Sequence, residues 1–321
     1  MELVTPNQSL FYSYTEFVLL GFPGISQSRY LLGIPFLSLY AVILTGNSAI
    51  VYLICSKKTL HSPMYLLISL LFAIHIANSM CVMPPFILGL IFHTNQITLI
   101  GCLMQMFFIY FLAICESSVI LLMSLDRYIA ICRPLHYNNI ITKRLLAWMT
   151  LIVLCRSCVL VSPLVIFTSM VPFCRDNIIL NFVCENMALL SLGCGDISKP
   201  QVAGLIVRIL VTVFDVSLLL LSYSNILYMA MKTVSGKSRH KALSTCGTHL
   251  IVAMLVYLCA LVSSIVYRIE MSLSVDAKNL FTVIYLILPA TLNPFIYGLR
   301  FKEIRRSIWK NWIKTNTSDI Q

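Results

Sequence analysis

The amino-acid sequence predicts an all-α membrane protein: a seven-transmembrane helix bundle followed by a short cytoplasmic amphipathic helix. Three observations predict it. Of 321 residues, 59% are hydrophobic and only 11% are charged, with a mean hydropathy of +0.89. A soluble chain of this length has too little interior to hide so much apolar surface. Seven windows are each long enough to cross a hydrocarbon layer about 30 Å thick. Finally, the basic residues gather in alternate connections between those windows.

The windows fall at about 31–55, 63–91, 100–125, 145–171, 201–231, 243–267 and 279–299. They divide the chain into an N-terminal segment (1–30), a seven-span domain (31–299) and a tail (300–321). The first segment does not read as a cleavable leader, because no Lys or Arg precedes Arg29 and no long apolar run precedes Gly21-Phe22-Pro23-Gly24. The first span is expected to act as an uncleaved insertion signal. An odd number of spans puts the termini on opposite sides. The connections at 56–62, 132–144 and 232–241, with Arg127 at their edge and the tail from Arg300, hold sixteen Lys/Arg. The other set holds five: Arg29, Arg175, Lys199, Arg268 and Lys278. The positive-inside rule then predicts an extracellular N-terminus and a cytoplasmic C-terminus in a multi-pass protein of the plasma membrane. The net charge of +11 is thus a topology signal with an attraction to anionic lipid. It is not a nucleic-acid footprint.

Asn7-Gln8-Ser9 is a glycosylation sequon, which an outside N-terminus would expose. Cys102, Cys174, Cys184 and Cys194 all fall at the expected outer face, where disulfides persist. Four cysteines allow three pairings, and their spacing does not choose among them. The remaining eight are expected to be free thiols. Cys155 and Cys158 form a CxxC, but within a span they read as small packing residues.

The third span carries the most information. From Cys102 to Arg127 a helix rises roughly 38 Å. It holds one acid, Glu116, in its middle and ends in Asp126-Arg127-Tyr128. Ionisable groups inside a membrane cost several kcal/mol unless partnered, so Glu116 needs a partner. Arg208, in the fifth span, has an expected neutraliser in Asp215, seven residues on. Met106, Ile109, Tyr110, Ala113 and Ile114 recur at helical spacing, for which core packing is the default reading. Ser264 and Arg268 are four apart on one helix face, with Tyr257 about three turns below Arg268. In the tail, apolar residues at 301, 304, 308 and 312 alternate with basic ones as in a helix lying along the inner leaflet. Lys314 to Gln321 reads as a polar end.

Several motifs together carry a resemblance. Gly46-Asn47, Asp126-Arg127-Tyr128, Trp148 and Asn293-Pro294-Phe295-Ile296-Tyr297 resemble the rhodopsin-like G-protein-coupled receptors. Leu19 to Gly24, Pro63-Met64-Tyr65, the run from Met123 to Tyr137, Ser222-Tyr223, Lys241 to His249 and Pro289 to Pro294 narrow it to the olfactory receptors. The long second outer loop with three cysteines, the Phe-Pro-Gly opening and Phe214-Asp215 look closest to the class I, fish-like branch. The resemblance spans nearly the whole chain.

That resemblance implies pairings Cys102–Cys184 and Cys174–Cys194, holding a lid over a ligand site. It turns the Met106-to-Ile114 face toward a small-molecule odorant, with Arg208, Tyr257, Ser264 and Arg268 as further ligand residues. An Arg at the Arg268 position anchors carboxylate odorants in class I relatives, which suits guanidinium geometry. The alternatives for Arg268 are snorkelling to headgroups or pairing with Glu270. The resemblance makes Arg127 the switch, held at rest by Asp126 beside Tyr128 and taken up by Tyr223 and Tyr297 when the sixth helix swings. Asn293-Pro294 supplies a bend. The expected partner at the inner face is a heterotrimeric G protein of the stimulatory olfactory type. No cofactor, metal or nucleic acid is expected.

The sequence also departs from the family. His75 replaces an acid that, with the Glu116 position, can bind sodium in relatives; a His75–Glu116 pair in place of the ion and a neutral hydrogen-bonded histidine are both open readings. Leu125 stands in the Met-Ala-Tyr/Phe-Asp-Arg-Tyr motif, Cys259 for a proline, and Tyr110 and Asn181 for histidines. Among other classes, a transporter should show internal repeats or matched broken helices, and an enzyme a convergent nucleophile and base or a metal set. Neither pattern is visible: Cys246 and His249 stand three apart without further ligands. A receptor for a non-odorant metabolite or peptide is the remaining alternative.

Overall fold

The computed structural model describes residues 13–92, 94–233, 236–268, 273–300 and 305, with the side chains at 26–29, 233, 236–242, 244–245, 264–265, 267–268 and 300 left aside. Asn7 and the amphipathic tail helix therefore lie outside the described residues, apart from Arg305. Seven long helices span the fold: α1 (Gly33–Ser56), α2 (Pro63–Phe92), α3 (Leu99–Cys132), α4 (Lys143–Ser169), α5 (Ser198–Thr233), α6 (Gly236–Arg268) and α7 (Val275–Arg300). Each contains a stretch long and apolar enough to cross a membrane.

The helices overrun the hydrophobic windows at their basic ends. α3 continues to Cys132 and α6 begins at Gly236, because hydrogen bonding along a helix does not stop where the lipid does. Hydropathy marks only the lipid-immersed part. Side-chain caps set two starts: Thr98 accepts from the Gly101 amide and Thr142 from the Leu145 amide. α3 is the central column, packed against α2, α4, α5 and α6. Its neighbours turn large apolar residues outward, among them Trp148, Ile152, Ile209 and Val213, an apolar shell suited to lipid.

A small sheet, which no alternating pattern in the sequence announced, sits at one end of the bundle. β1 (Glu16–Leu19) pairs antiparallel with β2 (Gln96–Thr98) and parallel with β3 (Ile178–Ile179). Phe17 is fully buried and packs edge-on against Phe173, with ring centres 5.6 Å apart. Around them Cys102, Met106, Ile179, Cys184, Leu189 and Leu190 form a separate apolar cluster. The N-terminal segment is thus clamped onto the loop between α4 and α5. Cys102 is bonded to Cys184 and Cys174 to Cys194, tying the same loop to α3 and to itself.

After β1 the chain passes so close to this loop that a β-carbon on Gly21 would lie 2.6 Å from Phe182 Cβ. Gly21→Ala is expected to cost about 1–3 kcal/mol through overpacking, measured as a lower melting temperature of the purified protein. Unchanged melting would show that the loop yields freely.

Candidate ligand and switch sites

Four polar assemblies stand along α3. Nearest the sheet is a cavity enclosing about 1050 Å³ of empty space, its mouth included. Tyr110, Ala113 and Ile114 line it from α3, Arg208 and Thr212 from α5, Tyr257 and Ala260 from α6, and Tyr285 from α7, with Glu185 closing the loop side. Of the residues expected to contact a ligand, Tyr110, Ala113, Ile114, Arg208 and Tyr257 therefore share one space. Met106 does not border it; it is fully buried in the cluster beneath the sheet. Ile109 borders a smaller adjoining recess with Val183, Cys184 and Thr282. The side chains of Ser264 and Arg268 lie outside the described residues.

Glu185 escaped the sequence reading, though its place directly after Cys184 puts it over the cavity. It caps the short helix Asn186–Leu190 by accepting from the Ala188 amide at 2.9 Å, and it accepts the Tyr110 hydroxyl at 3.0 Å. Cys184 is itself held by its amide donating to Gln105 Oε1 at 2.9 Å.

The second assembly corrects an expectation. Asp215, fully buried, does not neutralise Arg208. Its Oδ1 accepts from Arg156 of α4 at 2.7 Å, and its Oδ2 accepts from Ser117 of α3. Ser117 also exchanges a 2.7 Å hydrogen bond with the Tyr257 hydroxyl of α6, and Arg156 donates to Ser118 Oγ at 2.7 Å. Four helices meet through one ion pair. Residues 208 and 215 are two turns apart, about 10 Å along the axis, whereas Arg156 reaches Asp215 directly from the adjacent helix. The rule that an intramembrane acid needs a cation pointed to a pair, but helical spacing selected the wrong arginine. Arg208 instead donates to the Ala260 carbonyl at 3.0 Å.

One residue before Ser117 on α3, Glu116 places its Oε1 3.0 Å from His75 Nε2. His75 Nδ1 lies 3.2 Å from Asn47 Oδ1. The Asn47 amide group is oriented by donating to the Ile43 and Ala290 carbonyls at 2.7 and 2.9 Å. Its oxygen can therefore only accept, and Nδ1 must carry a proton. The short Nε2–Oε1 contact then requires one more proton between ring and carboxyl, since two lone pairs would repel. Whether that proton rests on nitrogen or on oxygen, the pair has no net charge. The two open readings of His75 are thus two positions of one proton. Asn293 Nδ2 approaches the same Nε2 at 3.4 Å, bringing α7 into a cluster with α1, α2 and α3.

This cluster does not fit a sodium ion. The proton bound in it removes the net negative charge a monovalent cation would neutralise, and the imidazole occupies the coordination space beside Glu116.

At the basic end, Asp126 is almost fully buried and holds Arg127 through Nε at 3.1 Å and Nη2 at 2.6 Å. Its other oxygen accepts the Tyr137 hydroxyl at 2.6 Å. Burial, and then this hydrogen bond to a carboxylate, raise the Tyr137 phenol above its ordinary range, so it stays protonated and donating. Tyr128 follows, half-buried. The Tyr223 hydroxyl is buried with no hydrogen-bond partner among the described residues. Tyr297 is fully buried, edge-on to Phe72, with its hydroxyl 3.4 Å from His249 Nδ1. Asn293 and Pro294 lie within the continuous α7. His249 belongs to a stretch singled out in the sequence, but its place against Tyr297 was not foreseen.

Comparisons with known proteins agree with this architecture. The family profile of the olfactory receptors matches residues 36–315. The chain is similar to human olfactory receptor 52K2, 35% identical over 294 residues covering 92% of this chain and 94% of that one. It is also similar to human olfactory receptor 52B6, 38% identical over 287 residues covering 89% and 85%. Among solved structures, squid rhodopsin superposes with a TM-score of 0.69 at 16% identity, covering 93% of this chain and 88% of that one; this is a likeness of fold. With its seven helices, central α3 and Asp126–Arg127 pair, the chain belongs to the olfactory receptor family of rhodopsin-like G-protein-coupled receptors, and it is not an enzyme.

Proposed function

We propose that a small odorant enters the cavity beside Tyr110, Arg208 and Tyr257, and that its occupancy is transmitted to Arg127. In this reading the sheet-bearing end faces outward, the basic end faces the cytoplasm, and the partner released there is a stimulatory G protein that raises cAMP. The observation that carries it is the hydrogen bond between Tyr257, a cavity wall residue on α6, and Ser117 of the buried ion-pair network. A ligand pressing on Tyr257 acts on the helix whose swing would free Arg127. A ligand can shift this equilibrium only by preferring one arrangement, and Tyr257 is where such a preference can act.

The carboxylate preference suggested by Arg268 rests on a side chain outside the described residues. Arg208 supplies a cation within the cavity itself. The reading is tested in cells expressing the receptor with a stimulatory olfactory-type G protein, using a panel of acids, aldehydes and amines. A dose-dependent cAMP rise to at least one class is expected. No rise in response to any class, with receptor at the surface, would overturn it.

The His75–Glu116 pair makes a second prediction. Replacing sodium by choline in the medium should leave the response unchanged, and His75→Asp should create a sodium dependence. A sodium-dependent native response would contradict the neutral pair.

A further inference from the structure

The recess that joins the main cavity holds about 330 Å³ of empty space and is bordered by both Arg208 and Glu185. The two also line the main cavity. Among the described residues, the ion pairs are His75–Glu116, Arg127–Asp126 and Arg156–Asp215, so Arg208 and Glu185 belong to none. Each is bonded there only to neutral groups: Arg208 to the Ala260 carbonyl, Glu185 to the Tyr110 hydroxyl and the Ala188 amide. Tyr110 and Tyr285 border the same recess. Opposite charges thus face one small space without touching.

Neutral hydrogen bonds satisfy geometry but do not cancel charge, and a half-buried ion without a counter-ion is costly. A simple carboxylate at Arg208 would leave Glu185 uncompensated and would be repelled by it. A simple amine at Glu185 would meet the converse penalty from Arg208. A neutral odorant would compensate neither. One molecule carrying both charges compensates both, with a charge-assisted contact at each end.

We propose that Arg208 and Glu185 form a two-point site for a small zwitterion, an amino-carboxylate whose acid meets Arg208 and whose ammonium meets Glu185. Ile109, Val183 and Leu286 on the recess wall present an apolar surface to the methylene chain between the two charged ends of such a ligand. The inference rests on the cavity being the ligand site, and narrows the ligand class from small odorants in general to amino-carboxylates. The site also works by exclusion, since each charge rejects the like-charged half-ligand.

The test uses the full-length receptor and a cAMP readout. The probes are glycine, β-alanine, γ-aminobutyrate and δ-aminovalerate, the acids and amines matching each in length, and butanal. The expected result is that one zwitterion acts at a concentration at least about tenfold below its matching acid and amine, a gain of ~1.4 kcal/mol. Arg208→Gln and Glu185→Gln should each abolish that advantage at unchanged surface abundance. The Glu185→Gln variant keeps an oxygen to cap the short helix, and Arg208→Lys, retaining the charge, should restore part of the response. A receptor that answers butanal or a plain acid but gives no zwitterion an advantage overturns this inference and leaves the receptor reading standing. So does a zwitterion response that survives both glutamine variants. No response to any probe at verified surface expression overturns the reading and the inference with it.

Discussion

Arg127→Ala is expected to abolish agonist-evoked cAMP while the receptor still reaches the cell surface. The guanidinium is held in a two-pronged contact by the buried Asp126, and Asp126 keeps a second partner in Tyr137. Removing Arg127 therefore takes away the proposed switch without stripping the acid of all hydrogen bonds. The loss should reach the upper range of allosteric coupling, about 100-fold or more in agonist-evoked output. Asp126→Asn is the informative companion. It removes the charge that restrains Arg127 but keeps an oxygen for Tyr137, so basal cAMP should rise instead of fall. Flow cytometry of surface receptor alongside cAMP separates signalling from folding. Normal signalling from Arg127→Ala would reduce the residue to an ordinary charged helix end.

Arg156→Ala should act on stability. Asp215 has no solvent exposure and would keep only Ser117 as a partner. Breaking one side of a buried ion pair costs about 3–5 kcal/mol, enough to consume much of a domain's stability. A large drop in melting temperature of detergent-purified receptor and poor surface delivery are the expected observations. The double replacement Arg156→Met with Asp215→Leu removes both charges and should recover most of the stability, as apolar substitutes for buried pairs often do. Signalling should remain impaired, because Ser117 and Tyr257 would lose the acid that positions them. Equal stability of the single variant and the native protein would show that Arg156 snorkels away and never neutralises Asp215.

The two experiments probe features of unequal visibility in the sequence. Arg127 is legible from its tripeptide and from its place at the end of a long apolar run. Arg156 drew no role at all: a charge within an apolar span calls for a partner, but nothing near it in the sequence says which helix supplies one. Glu185 was equally silent: its meaning comes from the disulfide that carries Cys184 over the cavity and from the short helix it caps. The sheet escaped because strands of two to four residues are too brief to show an alternating pattern, and each is stabilised only by partners far away in the chain. Met106 shows the reverse error. Helical spacing put it on one stripe with Tyr110 and Ile114, but at its height along α3 the stripe meets the sheet cluster and no longer the cavity.

Hydropathy by itself determined that the chain spans a membrane seven times, because the cost of burying charge in lipid is paid residue by residue along each segment. The basic asymmetry, the sulfur-bearing face and the positions of Glu116 and Arg127 along α3 were determined in the same way. Tertiary structure alone decided which charge meets which. It gave Asp215 to Arg156, set His75 against Glu116, and left Arg208 and Glu185 facing across a recess. The physical reason is that an ion pair depends on the rotation and separation of two different helices, over distances of a few ångströms. Spacing within a single helix contains no record of either.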